Sequence, residues 1–248
     1  MNSLRAAIKF SLFFVSTFGH YGVWYLGRPF ASDNAAWRQA IFTSWSRFFV
    51  WLSGGQIEIV GEKPEPPFFL VSNHLGYIDI PVLRSELRAV YVAKAEIESW
   101  FAAGKIVGDM GNIYIDRTNK RDIPRAGLKI LETIRRGEAI IVFPEGTSTK
   151  GESVLPFNSS FFEFAAKSGL PVHFASVSYQ TVDPGPKASE SICWWDDTTF
   201  ATHLLRLFRL KRYKAKITIG CDTVTGHDRK ALARRLRDKV EECFTPIK

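Results

Sequence analysis

The 248-residue sequence contains few cysteines and lacks any motif that would give them a shared role. Cys193, Cys221 and Cys243 are widely spaced, their number is odd, and no C-x-x-C occurs. This pattern argues against a disulfide framework and against a cysteine zinc site, so we expect no metal centre. Structural thiols in a reducing, cytoplasmic environment are the simpler interpretation.

Hydrolase motifs are missing as well. Neither G-x-S-x-G, which marks the nucleophile of many serine hydrolases, nor H-E-x-x-H, which marks zinc proteases, occurs in the chain. The sequence also has no internal repeat and no low-complexity segment. A serine or zinc hydrolase therefore ranks last among the functional classes that we consider.

Long apolar segments are scarce. Residues 10–27 contain no Lys, Arg, Asp or Glu, and their 18 residues are at the lower limit for crossing a bilayer. Ser, Thr, Gly and His weaken the segment as a spanning helix, whereas its Tyr and Trp residues suit the headgroup region. No A-x-A site follows it, which disfavours a cleaved signal peptide. A membrane-associated helix and a buried core helix both stay open.

A second helix is predicted over residues 37–52, and glycines at 54 and 55 end it. Its apolar side chains recur every three or four residues: Trp37, Ile41, Trp45, Phe48, Phe49 and Leu52. Such a helix either lies in the membrane interface or packs on the domain. We interpret residues 1–55 as membrane-associating helices and residues 56–248 as the main domain.

The net charge of +8 indicates anionic partners, either nucleic acid or an anionic membrane. Residues 204–216 (LLRLFRLKRYKAK) are basic and amphipathic, which suits anionic lipid. The alternative is a packed helix with a solvated basic face, followed by an edge strand protected by lysines. No nucleic-acid motif accompanies the charge. We therefore expect a membrane partner and no nucleic acid.

Short β-rich runs alternate with helical stretches after residue 55. The predicted strands are residues 57–60, 68–71, 89–93, 112–115, 139–143, 172–179 and 216–219. Asp122 and Asp228 are predicted to begin helices, and Ser160 with Glu163 reads as a capping box. This alternation predicts an α/β fold with a largely parallel or mixed sheet flanked by helices.

His74 and Asp79 follow the second predicted strand, at a strand end where ligands bind in open α/β sheets. On one continuous helix they would point about 140° apart. They meet if His74 lies in a turn at Gly76 and Asp79 caps a helix that has Pro81 in its first turn. A neutral imidazole then removes a proton from a hydroxyl, and the carboxylate orients it. The alternative is an ordinary turn residue beside a helix cap.

The segment Asn73-His74-x-x-x-x-Asp79 resembles the first motif of the glycerolipid acyltransferases of the lysophosphatidate acyltransferase type. Further similar motifs follow in the family's order at residues 111–117 (GNIYIDR), 143–147 (FPEGT) and 170–172 (LPV). Lys94-Ala95-Glu96 also matches a frequent Lys-x-Glu of the family. The resemblance covers roughly residues 57–179.

The resemblance implies a site in a cleft at the strand ends and acyl transfer to a lysolipid hydroxyl. The donor would be acyl-CoA or acyl carrier protein, and because its thioester is already activated we expect no cofactor. The cysteine usage and the apolar N-terminal segment predict a location at the cytoplasmic face of the inner or cytoplasmic membrane. By position, His74 would be the base and Asp79 its orienter. The acceptor would be bound by Arg117, Glu145, Gly146 and Thr147.

Two positions depart from the family pattern. Ser148 stands where an Arg is common, and Asn158 follows Pro156-Phe157 where a basic residue is common. Lys150 is a candidate replacement for the missing charge. The acceptor therefore stays open between 1-acylglycerol-3-phosphate, another lysophospholipid and an aminolipid. The same departures keep a second hypothesis, a non-catalytic lipid-binding or scaffold protein with the acyltransferase fold.

Overall fold

The computed structural model describes residues 2–116, 119, 122–182 and 185–247. Within these residues, seven strands form one sheet in the order β1-β7-β6-β2-β5-β3-β4. The strands are β1 (Gly55–Val60), β2 (Phe69–Ser72), β3 (Ala89–Lys94), β4 (Ile113–Ile115), β5 (Ala139–Val142), β6 (Val172–Thr181) and β7 (Tyr213–Ile219). All neighbouring strands are parallel except β6 and β7. The predicted α/β fold with a mixed sheet is confirmed, and every predicted strand is present.

The centre of the sheet is apolar because both of its faces are covered. Each residue of β2 and of β5 is buried, as expected for parallel strands between layers of helices. The carboxyl ends of β2 to β6 all lie at one edge of the sheet, since these strands run in the same direction. We call this side the carboxyl edge.

Helices flank the sheet on the bounds α1 (Asn2–Gly27), α2 (Asn34–Ser53), α3 (Asp79–Glu86), α4 (Ala103–Asp109), α5 (Asp122–Arg135), α6 (Glu163–Ser168), α7 (Ala188–Ser191), α8 (Phe200–Arg209) and α9 (Arg229–Cys243). Asp228 caps α9 as predicted, accepting a hydrogen bond from Ala231 N. The predicted capping box at Ser160 is wrong. A 3-10 turn precedes α6, and the Asn158 side chain caps that turn instead.

The N-terminal helices α1 and α2 pack on the main domain. Phe13 of α1 lies with its ring centroid 5.6 Å from that of Phe49 in α2 and 6.4 Å from that of Phe208 in α8. Ala6 and Phe49 are part of the main core. None of the helices in the described residues is long and apolar enough to cross a membrane. The boundary between residues 1–55 and 56–248 stays a prediction.

The basic segment 204–216 forms the end of α8 and the start of β7. In α8, the apolar side chains of Leu204, Leu207 and Phe208 are buried. The expectation of an edge strand is wrong, because β7 lies inside the sheet between β1 and β6. Alternate residues of β7 are buried, so its lysines fall on the more exposed face of a strand that is paired on both sides.

Candidate active site

His74 and Asp79 lie against each other at the carboxyl edge. The loop that follows β2 carries His74, and α3 begins at Asp79. His74 Nδ1 is 2.8 Å from the carboxylate oxygen Oδ2 of Asp79. The Asp79 side chain is fully buried, whereas 22% of the His74 side chain is exposed. The pair therefore has the geometry expected from the sequence, with the imidazole on the solvent side.

The Asp79 carboxylate holds its own loop together. Oδ2 accepts hydrogen bonds from the backbone N–H groups of Leu75 at 2.6 Å and Gly76 at 3.1 Å. Oδ1 accepts one from the Tyr179 hydroxyl at 2.7 Å. The expectation that Asp79 caps α3 is wrong, because the N-cap position is Ile78 and the carboxylate turns back to the preceding loop. A buried carboxylate needs such donors, since its desolvation otherwise costs several kcal/mol.

Stacking fixes the plane of the His74 ring. The ring lies 4.3 Å from the Phe143 ring at an interplanar angle of 14°, and Phe143 stacks in turn on Tyr91. Because Nδ1 faces a carboxylate, the proton of the neutral imidazole resides on Nδ1. Nε2 then carries the lone pair, and it makes no hydrogen bond within the described part of the chain.

Asn73 ties the loop to the neighbouring strand β6. Its amide nitrogen donates to the Val177 carbonyl at 3.0 Å, and its amide oxygen accepts from Val177 N–H at 2.8 Å. The side chain thus pairs like a strand residue just beyond the end of β2. On the other side, the carbonyl of His74 accepts from Thr149 N–H at 3.0 Å. The loop that carries His74 is therefore held by β6 on one side and by the loop after β5 on the other.

A further segment, which the sequence analysis missed, contacts the loop that carries His74. Trp194 N–H donates to the Leu75 carbonyl at 2.8 Å, and the Trp194 carbonyl accepts from the Ser148 hydroxyl. A Cβ at position 76 would lie 2.9 Å from Trp194 N, so Gly76 is required for this close approach. Ser148 therefore has a structural role at the position where the family pattern has Arg.

His203 supports that segment from inside. It is fully buried, and its Nε2 lies 3.0 Å from the Cys193 carbonyl while Nδ1 lies 3.1 Å from the Tyr77 hydroxyl. Burial lowers the pKa of His203, so the neutral ring donates to the carbonyl and accepts from the tyrosine. Tyr77 belongs to the loop between His74 and Asp79. No local sequence signal connects these residues, which are far apart in the chain.

Glu145 approaches His74 from the loop after β5. Its Oε1 accepts from His74 N–H at 3.3 Å. Its Oε2 is buried without a hydrogen-bond partner among residues 2–116, 119, 122–182 and 185–247. Burial raises the pKa of Glu145 to about 8, and the nearby Asp79 charge adds to this rise. A carboxyl group with an open oxygen beside the imidazole is suited to meet a ligand donor.

Of the other residues predicted to bind the acceptor, two follow Glu145 in the same loop and one lies outside the residues that the structure describes. Gly146 has a φ of +81°, a left-handed conformation that favours glycine. Thr147 is exposed to solvent. Arg117 lies outside the described residues, so its role stays a prediction. Lys150, the candidate replacement charge, pairs with Glu152 at 2.8 Å.

Among the described residues, no three or more His, Cys, Asp or Glu side chains lie close enough together to hold a metal ion. The carboxyls of Asp79 and Glu145 both contact His74, the first through Nδ1 and the second through the backbone N–H. The geometry suits a general base with an orienting carboxylate, beside a second carboxyl whose Oε2 is buried without a hydrogen-bond partner in the described chain.

Comparison with known proteins places this site in a family. A sequence model of acyltransferases matches residues 56–179, which carry His74, Asp79 and Glu145. The chain belongs to the acyltransferase family. This acyltransferase is 30% identical over 195 residues to the 1-acyl-sn-glycerol-3-phosphate acyltransferase of Neisseria gonorrhoeae, which covers 77% of this chain and 74% of that protein. It is 31% identical over 186 residues to the lyso-ornithine lipid O-acyltransferase of Pseudomonas aeruginosa, with 75% and 70% covered.

A solved structure has the same fold. The acyltransferase superposes on the 1-acyl-sn-glycerophosphate acyltransferase PlsC of Thermotoga maritima with a TM-score of 0.63, covering 98% of this chain and 97% of that chain. The two sequences are 21% identical, so the likeness concerns the fold. The α/β architecture predicted from the alternation of strands and helices is therefore shared with a known acyltransferase.

Proposed function

We propose that this acyltransferase transfers a fatty acyl group from acyl-CoA or acyl carrier protein to the hydroxyl of a lysolipid in membrane lipid synthesis. The observation that carries the proposal is the buried Asp79 carboxylate 2.8 Å from His74 Nδ1. That contact leaves Nε2 as the basic nitrogen of a side chain that is 22% exposed. Such a base is what an unactivated hydroxyl needs in order to attack a thioester.

The reaction proceeds by direct transfer. Nε2 of His74 takes the proton of the lysolipid hydroxyl as its oxygen attacks the thioester carbonyl, and the Asp79 carboxylate stabilises the resulting imidazolium. The C–O bond forms, the C–S bond breaks, and the departing thiolate takes the proton back from Nε2. No cofactor and no covalent enzyme intermediate are needed, because the thioester is already activated.

The acceptor is a lysolipid whose headgroup reaches the loop after β5. One relative is named for 1-acyl-sn-glycerol-3-phosphate and another for lyso-ornithine lipid, so a phosphate and an amino-acid headgroup are the two candidates. We assign acceptor binding to Glu145, together with Gly146 and Thr147 of the same loop, and Arg117 stays a predicted acceptor residue. The open Oε2 of Glu145 supports this role, since it is buried beside His74 and lacks a partner in the described chain.

The enzyme meets its acceptor at a membrane surface. One face of α1 exposes apolar side chains along its whole length: Leu4, Ile8, Leu12, Val15, Phe18, Val23 and Leu26. An apolar row of this kind, together with the net charge of +8, supports docking on an anionic leaflet. The free thiols of all three cysteines support the cytoplasmic face.

The transfer proposal is tested with radiolabelled acyl-CoA and acyl carrier protein against lysophosphatidate, other lysophospholipids and lyso-ornithine lipid. His74→Ala is expected to lower kcat on the order of 10³-fold or more while the protein stays folded. His227→Ala, outside the site, is the matched control. Equal activity in His74→Ala and wild type would reject the mechanism. Vesicle binding without transfer from either donor would favour the scaffold hypothesis.

Membrane docking is tested by flotation with vesicles that contain anionic phospholipid. Leu12→Glu combined with Val15→Glu is expected to abolish flotation, because two charges would enter the apolar face. Leu128→Glu alters a comparably exposed leucine on α5 and is expected to float like wild type. Loss of flotation in the α5 variant alone would place the membrane contact elsewhere.

A further inference from the structure

Asp79 is a buried carboxyl group that has no lysine or arginine partner in the described chain. Its Oδ2 lies 2.8 Å from Nδ1 of His74. Burial raises the pKa of five titratable groups near Asp79, and the charge of Asp79 adds to each rise. These groups face it from β3, β6, β7, the loop after β5 and the segment after α7: Tyr91, Tyr179, Tyr213, Glu145 and Cys193. The carboxylate therefore depends on hydrogen-bond donors.

Tyr179 supplies the donor for one of the two carboxylate oxygens. Its hydroxyl lies 2.7 Å from Oδ1 of Asp79, while Oδ2 faces His74 and two backbone N–H groups. Tyr179 is itself buried on β6, and its ring packs edge-on against Tyr213 at a centroid distance of 6.1 Å. A donor with so little freedom fixes the rotation of the carboxylate about its Cβ–Cγ bond.

We propose that Tyr179 is a positioning residue for acyl transfer. Its hydroxyl holds the Asp79 carboxylate in the rotation that points Oδ2 at His74 Nδ1, and it limits how strongly that carboxylate stabilises the imidazolium. The inference rests on the proposed roles of His74 and Asp79. It makes the catalytic arrangement a chain of three side chains, Tyr179, Asp79 and His74, rather than a pair.

The pH dependence of catalysis separates this role from a purely structural one. Removing the hydroxyl concentrates negative charge on Asp79, which favours the protonated imidazole. The acid limb of the kcat/KM profile, which reports the free enzyme's base, then moves to higher pH. A hydroxyl that only satisfies a buried carboxylate would change the melting temperature and leave the acid limb in place.

The test compares Tyr179→Phe with Tyr213→Phe in the full-length enzyme. Both variants remove a buried hydroxyl from neighbouring tyrosines, but the Tyr213 hydroxyl bonds to Ser53, at 2.9 Å, and not to Asp79. We expect Tyr179→Phe to lower kcat roughly 5- to 30-fold with the donor KM unchanged. Its acid limb should move up by at least about 0.5 pH unit, whereas that of Tyr213→Phe should match wild type.

An unmoved acid limb and a kcat within about twofold of wild type in folded Tyr179→Phe would overturn the inference. An inactive wild type, or full activity in His74→Ala, would instead overturn the proposed function and the inference with it. If Tyr179→Phe does not fold, the test uses 3-fluorotyrosine at position 179. This residue keeps the ring and the hydroxyl, and its hydroxyl is a stronger hydrogen-bond donor to Asp79. Its acid limb is expected to move to lower pH, and an unchanged limb would overturn the proposal.

Discussion

Two carboxyl groups contact His74, one at the junction of the loop after β2 with α3 and one in the loop after β5, and they differ in the hydrogen bonds that they receive. At the start of α3, Asp79 receives two backbone N–H groups, a tyrosine hydroxyl and the imidazole. In the loop after β5, Oε1 of Glu145 accepts from His74 N–H at 3.3 Å, and the backbone of Leu155 also lowers the pKa of this carboxyl, but Oε2 is buried without a full hydrogen bond in the described chain. Both oxygens of Asp79 accept hydrogen bonds in the absence of substrate, whereas Oε2 of Glu145 accepts none in the described chain.

This difference indicates that the two carboxyl groups have different roles. A carboxylate whose two oxygens both accept hydrogen bonds is held in one orientation, which is what an orienting group for a base requires. Desolvation by burial raises the pKa of Glu145 to about 8, because its backbone hydrogen bonds offset only part of that effect. A ligand that donates to its open oxygen would relieve the penalty. We therefore assign the loop after β2 to chemistry and the loop after β5 to the acceptor.

The largest effect is expected at Asp79. Asp79→Asn leaves a single acceptor oxygen where several donors converge, and its neutral amide does not stabilise an imidazolium. We expect kcat to fall on the order of 10³-fold with the donor KM nearly unchanged. Steady-state kinetics on protein shown to be folded by circular dichroism checks this. If kcat stayed within tenfold of wild type, the four groups that donate to Asp79 would contribute to folding alone, and Asp79 would have no orienting role in the reaction.

Much of the fold follows from short-range patterns in the sequence. Apolar runs such as residues 139–143 predicted strands because a sheet covered on both faces needs them, and β5 is completely buried. The proximity of His74 and Asp79 also followed locally, from a turn glycine between two residues five apart. These features depend on neighbouring residues, which a single sequence displays.

The contacts that complete the site were not predictable in this way. Tyr179 reaches Asp79 across 100 residues and Asn73 reaches Val177 across 104, so only the pairing of β2 with β6 brings them together. The cap assigned to Asp79 was wrong for a related reason. A carboxylate near a helix start usually bonds the helix N–H groups, but here the loop N–H groups are closer to it. Ser148 showed only as a departure from a motif, and its partner Trp194 lies beyond the matched region.

A smaller loss of activity is expected at Glu145. Glu145→Gln keeps the size of the side chain but changes what it offers to the acceptor. We expect the acceptor KM to rise roughly 10- to 100-fold while kcat falls less than in Asp79→Asn. Glu152→Gln, at an exposed carboxyl in the following loop, is the control. A fall in kcat with an unchanged acceptor KM would move Glu145 from acceptor binding to the chemical step.

The same variant has a predicted signature in stability. The folded enzyme holds the Glu145 proton up to about pH 8, whereas the unfolded chain releases it near the ordinary value of 4.5. The free energy of unfolding of wild type, relative to Glu145→Gln, should therefore be highest below pH 4.5 and fall as the pH rises to 8. We expect a total fall of roughly 2 kcal/mol or more, measured by urea unfolding at several pH values. A difference that does not change with pH would show that the carboxyl is already satisfied.

The smallest effect is expected at Ser148, which links the two loops through the Trp194 carbonyl. Ser148→Ala removes one neutral hydrogen bond at a partly exposed position, where water can replace the lost donor. We expect kcat to fall roughly two- to fivefold with both KM values unchanged, and Ser148→Thr, which keeps the hydroxyl, to restore it. Ser153→Ala, at an exposed serine of the same region, should match wild type. A larger loss of activity in Ser148→Ala than in Glu145→Gln would contradict the assignment of acceptor binding to Glu145. It would mean that the loop after β5 contributes to activity through its own hydrogen bonds and not through contact of Glu145 with the acceptor. Acceptor binding would then have to be sought in the segment that follows β4.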